Sequence, residues 1–124
     1  GYAALFLTAL DARSRFLVFS NPHSTFARLY ADPVAASLGP WSAGICGWAD
    51  AARIQLIAPR PFIWENGSRD ANGYEAVDIE CVDAIIRFYD RLGLSDRFQF
   101  LRHERGHETR PELTVGALRA FFPD

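Results

Sequence analysis

The segment Phe16-Leu17-Val18-Phe19 is apolar at every position, so a strand formed there has two apolar faces. Such strands are typical of parallel sheets covered by helices on both sides, because a sheet with one wet face alternates apolar and polar residues. Two further segments have strand character: 61–64, which is also apolar, and 96–102, where Phe98 and Phe100 alternate with polar neighbours. The sequence therefore predicts a small three-stranded parallel sheet.

Helical segments alternate with these strands. The clearest is 74–92, whose apolar residues recur at helical spacing and which is followed by Gly93, a typical helix-terminating residue. The nearly all-apolar segment 2–10 fits a helix buried on most sides, and 111–122 begins with a proline near the first helical position. A further helix is predicted around 25–38. The resulting order, α-β-α-β-α-β-α, predicts an α/β fold with right-handed crossovers.

Size and charge restrict the classes of function. With 124 residues, 49% of them hydrophobic, the chain can bury one core, so we expect a single domain over 1–124. The formal net charge is -2 with no basic patch, which argues against a nucleic-acid partner. No membrane-spanning segment and no glycine-rich phosphate loop is present, so neither a membrane nor a nucleotide cofactor is expected. Cys46 and Cys81 fit buried thiols of a soluble, cytoplasmic protein.

A titratable side chain follows each predicted strand. His23 comes after the first strand, Asp70 after the second and His107 after the third. Ligands of parallel α/β sheets bind beyond the carboxyl ends of the strands. We therefore expect these three side chains to lie at one edge of the sheet, where a site is predicted.

The segment "RHERGHE" contains an H-E-x-x-H pattern at 103–107, the spacing found in zinc proteases. That motif requires a helix, on which residues four apart share a face. Here the preceding residues alternate like a strand, and Gly106 disfavours a helix. In an extended chain His103 and His107 would lie about 13 Å apart. The match to the zinc motif is predicted to be accidental.

Taken together, these features resemble the C-terminal half of an α/β-hydrolase, in the branch of dienelactone hydrolases, acetyl xylan esterases and prolyl oligopeptidase-like enzymes. The resemblance is carried by "ALDAR", "APRPFIWENGSRD", "FYDRLGL" and "GHE", in this order. It implies that Asp70 is the acid and His107 the general base of a Ser-His-Asp triad. It also implies that the nucleophilic serine, in a Gly-x-Ser-x-Gly elbow, precedes Gly1.

Two classes of function remain open. The first is a hydrolase of ester or phosphoester bonds in which His23, Asp70 and His107 bind a divalent metal, with zinc expected, because a metal would replace the missing nucleophile and oxyanion stabilisation. Further candidate ligands are Glu65, His103 and Glu104. The alternative is the inactive C-terminal half of a serine carboxylesterase that needs a partner chain, or a non-catalytic remnant that self-associates.

The resemblance also predicts an assembly. Without the strand that carries the elbow, the strand 16–19 would be an unpaired apolar edge. We expect a homodimer formed through this edge and the helix 2–10, because association would cover apolar surface. The expected partners are thus a second copy and a small-molecule ester or phosphoester.

Overall fold

A computed structural model describes residues 2–20, 55–70 and 76–123 of the chain. The described strands are parallel and lie in the order β1-β2-β3. They comprise β1 (Leu17–Ser20), β2 (Phe62–Gly67) and β3 (Phe98–His103), and the described helices comprise α1 (Tyr2–Leu10), α2 (Ala76–Arg91) and α3 (Pro111–Phe121), with a 3-10 turn at Ser95–Arg97. The predicted α/β fold with a three-stranded parallel sheet is confirmed.

The strands begin and end one to three residues later than the sequence pattern predicts. The largest difference is in β2, which continues through Glu65, Asn66 and Gly67, three residues whose types are typical of turns. All three are buried and pair with β3, so the strand continues where local composition predicts its end. The predicted helix at 25–38 lies outside the described residues.

β2 is the central strand, and each of its six residues is buried. It pairs with β1 on one side and along its whole length with β3 on the other. Aromatic rings pack across the sheet: the ring centroids of Phe62 and Phe98 lie 5.1 Å apart, and those of Trp64 and Phe19 lie 5.6 Å apart. Burial on both faces makes β2 a rigid support for the residues that follow it.

Helix α2 packs one face on this core. Cys81, Ile85 and Tyr89 are buried at helical spacing, and Cys81 is a buried thiol, as predicted. Gly93, with φ 69°, ends the helix, and the Leu94 N–H donates to the Tyr89 carbonyl at 2.9 Å. This is the Schellman arrangement, in which only glycine takes the left-handed conformation without strain. The predicted helix stop is therefore confirmed.

Helix α1 is less buried than its composition predicts. Leu5 is buried, whereas Leu7 and Leu10 are 60% and 72% exposed. These side chains belong to the surface through which a homodimer is predicted, and the dimer stays a prediction. Within the described parts of the chain, no helix combines the length and the apolar character needed to cross a lipid bilayer.

Arg60 connects α1 to the turn that precedes β2. Its guanidinium donates to four backbone carbonyls, those of Thr8, Asp11, Leu56 and Ile57. The Arg60 carbonyl in turn accepts a hydrogen bond from the Tyr89 hydroxyl at 3.0 Å. One arginine thus links α1, α2 and the start of β2 at the amino end of the sheet.

The Tyr89 hydroxyl gives a test of this junction. Burial raises the pKa of the Tyr89 phenol above its ordinary value of 10.0. The unfolded chain therefore releases this proton first, and the free energy of unfolding should fall as the pH rises above 10.0. Tyr89→Phe should reduce this alkaline loss, while costing about 1 kcal/mol at neutral pH because the Arg60 carbonyl loses a donor. Urea unfolding of the unaltered protein and of Tyr89→Phe, at neutral pH and above pH 10.0, measures both effects. Identical losses of stability at alkaline pH would contradict the prediction.

Candidate active site at the carboxyl ends of the strands

The segments that follow β2 and β3 run side by side. The Ser68 N–H donates to the His103 carbonyl at 2.8 Å, and the Arg69 N–H donates to the Arg105 carbonyl at 3.0 Å. Backbone hydrogen bonding thus continues beyond the ends of the two strands. As a result, Asp70 and His107 are brought to the same place at the edge of the sheet.

Gly67 makes this close approach possible. A β-carbon built on Gly67 would lie 2.1 Å from the Gly106 carbonyl oxygen and 2.4 Å from that of Arg105. Both are backbone atoms, so a larger residue could be accommodated only by moving the segment that carries His107. The requirement for glycine comes from a distant part of the chain and not from the local turn.

Asp70 and His107 form a short hydrogen bond. The distance from His107 Nδ1 to Asp70 Oδ2 is 2.7 Å. The Asp70 side chain is 1% exposed, whereas that of His107 is 49% exposed. An ionised carboxylate can only accept, so His107 Nδ1 donates the proton and Nε2 is the basic nitrogen of the ring. The two residues predicted as acid and base are neighbours, and their catalytic role stays a prediction.

The predicted metal site involves a residue outside the described ranges, His23. Among the residues that the structure describes, no group of three or more His, Cys, Asp or Glu side chains is arranged to hold a metal ion. The zinc site formed by His23, Asp70 and His107 therefore stays a prediction. Glu104, a further candidate ligand, is exposed on the turn after β3.

The H-E-x-x-H match is not on a helix. His103 is the last residue of β3, and residues 104–107 form the turn that follows. The His103 side chain is buried and its Nδ1 accepts a hydrogen bond from the Arg105 N–H at 3.2 Å, whereas His107 is half-exposed. The prediction that 103–107 does not form the helical zinc motif is confirmed.

Glu65, within β2, is a second acidic side chain near this edge of the sheet, in addition to Asp70, and it is fully buried. Its carboxylate accepts hydrogen bonds from the Ser20 hydroxyl at 3.0 Å, the Arg110 N–H at 2.6 Å and the Thr114 hydroxyl at 3.2 Å. Arg110 is the N-cap residue of α3, so the negative charge occupies a position that the helix dipole favours. Glu65 thereby joins β1, β2 and α3 directly below the candidate site.

The role of Glu65 was missed in the sequence, where it was considered only as a metal ligand. Its local signal is weak: it stands two residues after Ile63, on the same face of β2, which predicts an inward side chain if the strand continues. The hydroxyl and N–H groups that satisfy it come from β1 and α3, far away in sequence.

Among the described residues, clefts lie at both ends of the sheet. One, of about 380 Å³, lies at the carboxyl ends of β2 and β3 and is lined by Ser68, Arg102, His103 and Glu104. The other, of about 820 Å³, lies at the opposite end and includes Arg15, Arg60 and Arg97. The smaller cleft lies where parallel sheets commonly bind their ligands, although neither Asp70 nor His107 is among its lining residues.

Comparison with known proteins shows which solved structure the fold is similar to. No protein-family model and no curated protein matches the chain. Among solved structures, the chain is similar to a carbohydrate esterase family 15 (CE15) glucuronoyl esterase from Caldicellulosiruptor kristjansonii, with a TM-score of 0.65 and 17% identity over 95% of this chain. It spans 39% of the length of that protein. The architecture is therefore similar to part of the α/β-hydrolase fold, and the narrower branch stays a prediction.

Gly67→Ala tests the close approach of the two loops. The added methyl group should displace the turn that carries His107, lowering the free energy of unfolding by about 1–3 kcal/mol. It should also abolish the low-field NMR resonance of the proton between His107 and Asp70. Gly116→Ala is the matched control, because a β-carbon there meets no atom within 4 Å, and it should stabilise α3 by about 0.5–1 kcal/mol. Unchanged stability and an unchanged resonance in Gly67→Ala would disprove the constraint.

Glu65→Gln tests the buried carboxylate. An amide offers one accepting oxygen, so at least one of the donors that face Glu65 loses its partner, and the free energy of unfolding should fall by about 1.5–3 kcal/mol. Asp83→Asn removes a carboxylate from an exposed position on α2 and should change stability by no more than about 0.5 kcal/mol. Chemical denaturation measures both, and losses of equal size would contradict this role of Glu65.

Proposed function

We propose that this chain carries the acid and the general base of a carboxylester hydrolase, with Asp70 as the acid and His107 as the base. The observation that carries the proposal is the 2.7 Å hydrogen bond between these side chains. It lies beyond the carboxyl ends of the adjacent parallel strands β2 and β3, in an architecture similar to that of an α/β-hydrolase.

The geometry supports a definite division of labour. The buried Asp70 carboxylate keeps the Nδ1 proton on His107 and stabilises the positive charge that develops when Nε2 takes a second proton. In the proposed reaction, Nε2 removes the proton from a serine hydroxyl as its oxygen attacks the ester carbonyl, and then delivers it to the departing alcohol. The same base then activates a water molecule, which hydrolyses the acyl-enzyme. This step regenerates the serine hydroxyl and releases the carboxylic acid product.

The serine is proposed to come from a segment outside these 124 residues, in the same polypeptide or in a partner chain. Two observations support this. The chain spans 39% of the length of the similar esterase, and its 124 residues contain no Gly-x-Ser-x-Gly sequence of the kind that forms the nucleophile elbow in α/β-hydrolases. Ser20, a hydroxyl at the carboxyl end of β1, is already hydrogen-bonded to Glu65 at 3.0 Å and to Thr109 at 2.7 Å.

The proposed substrate is a carboxylic ester with a polar acyl group. The similar structure is that of a glucuronoyl esterase, which makes the methyl ester of glucuronic acid the first compound to test. A simple aryl acetate tests the chemistry independently of this choice.

A metal-assisted hydrolase of esters or phosphoesters is the second candidate. One observation favours it: histidines that bind metals commonly donate their other ring N–H to a carboxylate, and His107 donates to Asp70. In that case Nε2 of His107 and the side chain of His23 would be ligands, whereas Asp70, which the sequence predicts as the third ligand, would orient His107 instead. A divalent ion would supply a Lewis acid.

Ester hydrolysis by the longest natural polypeptide that contains these residues tests the proposal. We expect activity that survives a metal chelator and is blocked by a fluorophosphonate probe that labels one serine. Asp70→Asn should lower kcat by about 10⁴-fold and His107→Gln by about 10⁶-fold, as removal of the corresponding triad members does elsewhere. Glu108→Gln, an exposed neighbour of the site, should leave kcat unchanged.

Other outcomes separate the alternatives. Activity that is lost on chelation and restored by zinc, with no serine labelled, would replace the triad with the metal-assisted candidate. No hydrolysis of any ester or phosphoester by the natural polypeptide would indicate a non-catalytic remnant.

A further inference from the structure

His103 is a buried histidine that the proposed reaction does not use. Its side chain is 4% exposed, and its Nδ1 accepts a hydrogen bond from the Arg105 N–H at 3.2 Å. A ring nitrogen that accepts a hydrogen bond carries no proton, so the proton of the neutral ring is on Nε2. The turn after β3 therefore requires one particular tautomer of His103.

The Nε2 atom of His103 has no hydrogen-bond partner among the residues that the structure describes. The nearest acidic oxygen, Oε1 of Glu65, lies 3.8 Å away, beyond hydrogen-bond distance. A buried donor without a partner is unfavourable, and an apolar side chain of similar size would avoid that cost. Packing alone therefore does not account for a histidine at this position.

The contacts of His103 lie beside both members of the proposed pair. Its carbonyl accepts from the N–H of Ser68, two residues before Asp70, and its ring accepts from the N–H of Arg105, two residues before His107. One residue thus holds the segment that carries the acid and the segment that carries the base.

We infer that His103 is a positioning residue, whose neutral ring accepts the Arg105 N–H and holds His107 in hydrogen-bond contact with Asp70. The catalytic meaning of this inference rests on the proposed function. The geometric part does not, because the tautomer of His103 and the hydrogen bond of His107 can be measured without substrate.

The first test uses the unaltered protein. Long-range ¹H–¹⁵N NMR of histidine side chains should show His103 with an unprotonated Nδ1 and a protonated Nε2. It should also show a low-field proton on His107 Nδ1. A proton on Nδ1 of His103 would overturn the inference, since the ring could then not accept from Arg105.

Two variants give the second test. Asparagine can place an amide oxygen near the position of Nδ1, whereas leucine fills the space without an acceptor. His103→Leu should lose the low-field resonance of His107 and speed hydrogen exchange of the Arg105 amide, and His103→Asn should restore both. In the ester assay, His103→Leu should lower kcat about 10²-fold with little change in KM, as small misplacements of catalytic groups do. His103→Asn should recover most of this loss.

A folded His103→Leu protein that keeps the His107 resonance and full kcat would overturn the inference. If His103→Leu does not fold, the tautomer in the unaltered protein and the behaviour of His103→Asn still decide it. Absence of ester hydrolysis in every form would refute the proposed function while leaving the NMR result on His103 unaffected.

Discussion

The contact between Gly67 and the backbone of residues 105–106 is the constraint on which the candidate site depends. A β-carbon at this position would lie 2.1 Å from a carbonyl oxygen, so the two loops can touch only because one residue has no side chain. The hydrogen bonds beyond the strand ends then act as an extension of the sheet. Asp70 and His107, which are 37 positions apart in sequence, are held 2.7 Å apart by this extension.

Below this contact, two buried polar groups differ in how well they are satisfied. The Glu65 carboxylate accepts from three donors in β1 and at the start of α3, and a satisfied network of this kind fixes one arrangement of the elements around it. In His103, Nδ1 accepts a hydrogen bond from the Arg105 N–H, whereas Nε2 lies 3.8 Å from Oε1 of Glu65. Glu65 supports the fold. His103, whose Nε2 has no hydrogen-bond partner among the described residues, lies next to the turn that carries His107.

Periodicity predicted the parts of the fold in which burial follows the local pattern. The three strands, the face of α2 that includes Tyr89 and the stop at Gly93 belong to this group, because spacing and helix-end chemistry are local properties. The carboxyl half of β2 was not predicted, since Glu65 is buried only because hydroxyl and N–H groups from distant segments reach it. The proximity of Asp70 and His107 was expected from their positions after parallel strands, whereas the bond between His103 and Arg105 has no signature in spacing or composition.

Different kinds of hydrogen-bonding group connect the helices and loops to the sheet at its two ends. At the amino end, four backbone carbonyls accept hydrogen bonds from the Arg60 guanidinium, a group that has donors and no acceptor. At the carboxyl end, the connections are made by the carboxylate of Glu65 and the Nδ1 atom of His103, which accept hydrogen bonds. The amino end is therefore joined by one donor group that serves four carbonyls, and the carboxyl end by acceptor groups that backbone N–H and hydroxyl donors reach. A change at Arg60 therefore alters the packing of α1, whereas a change at Glu65 or His103 alters contacts beside the candidate site.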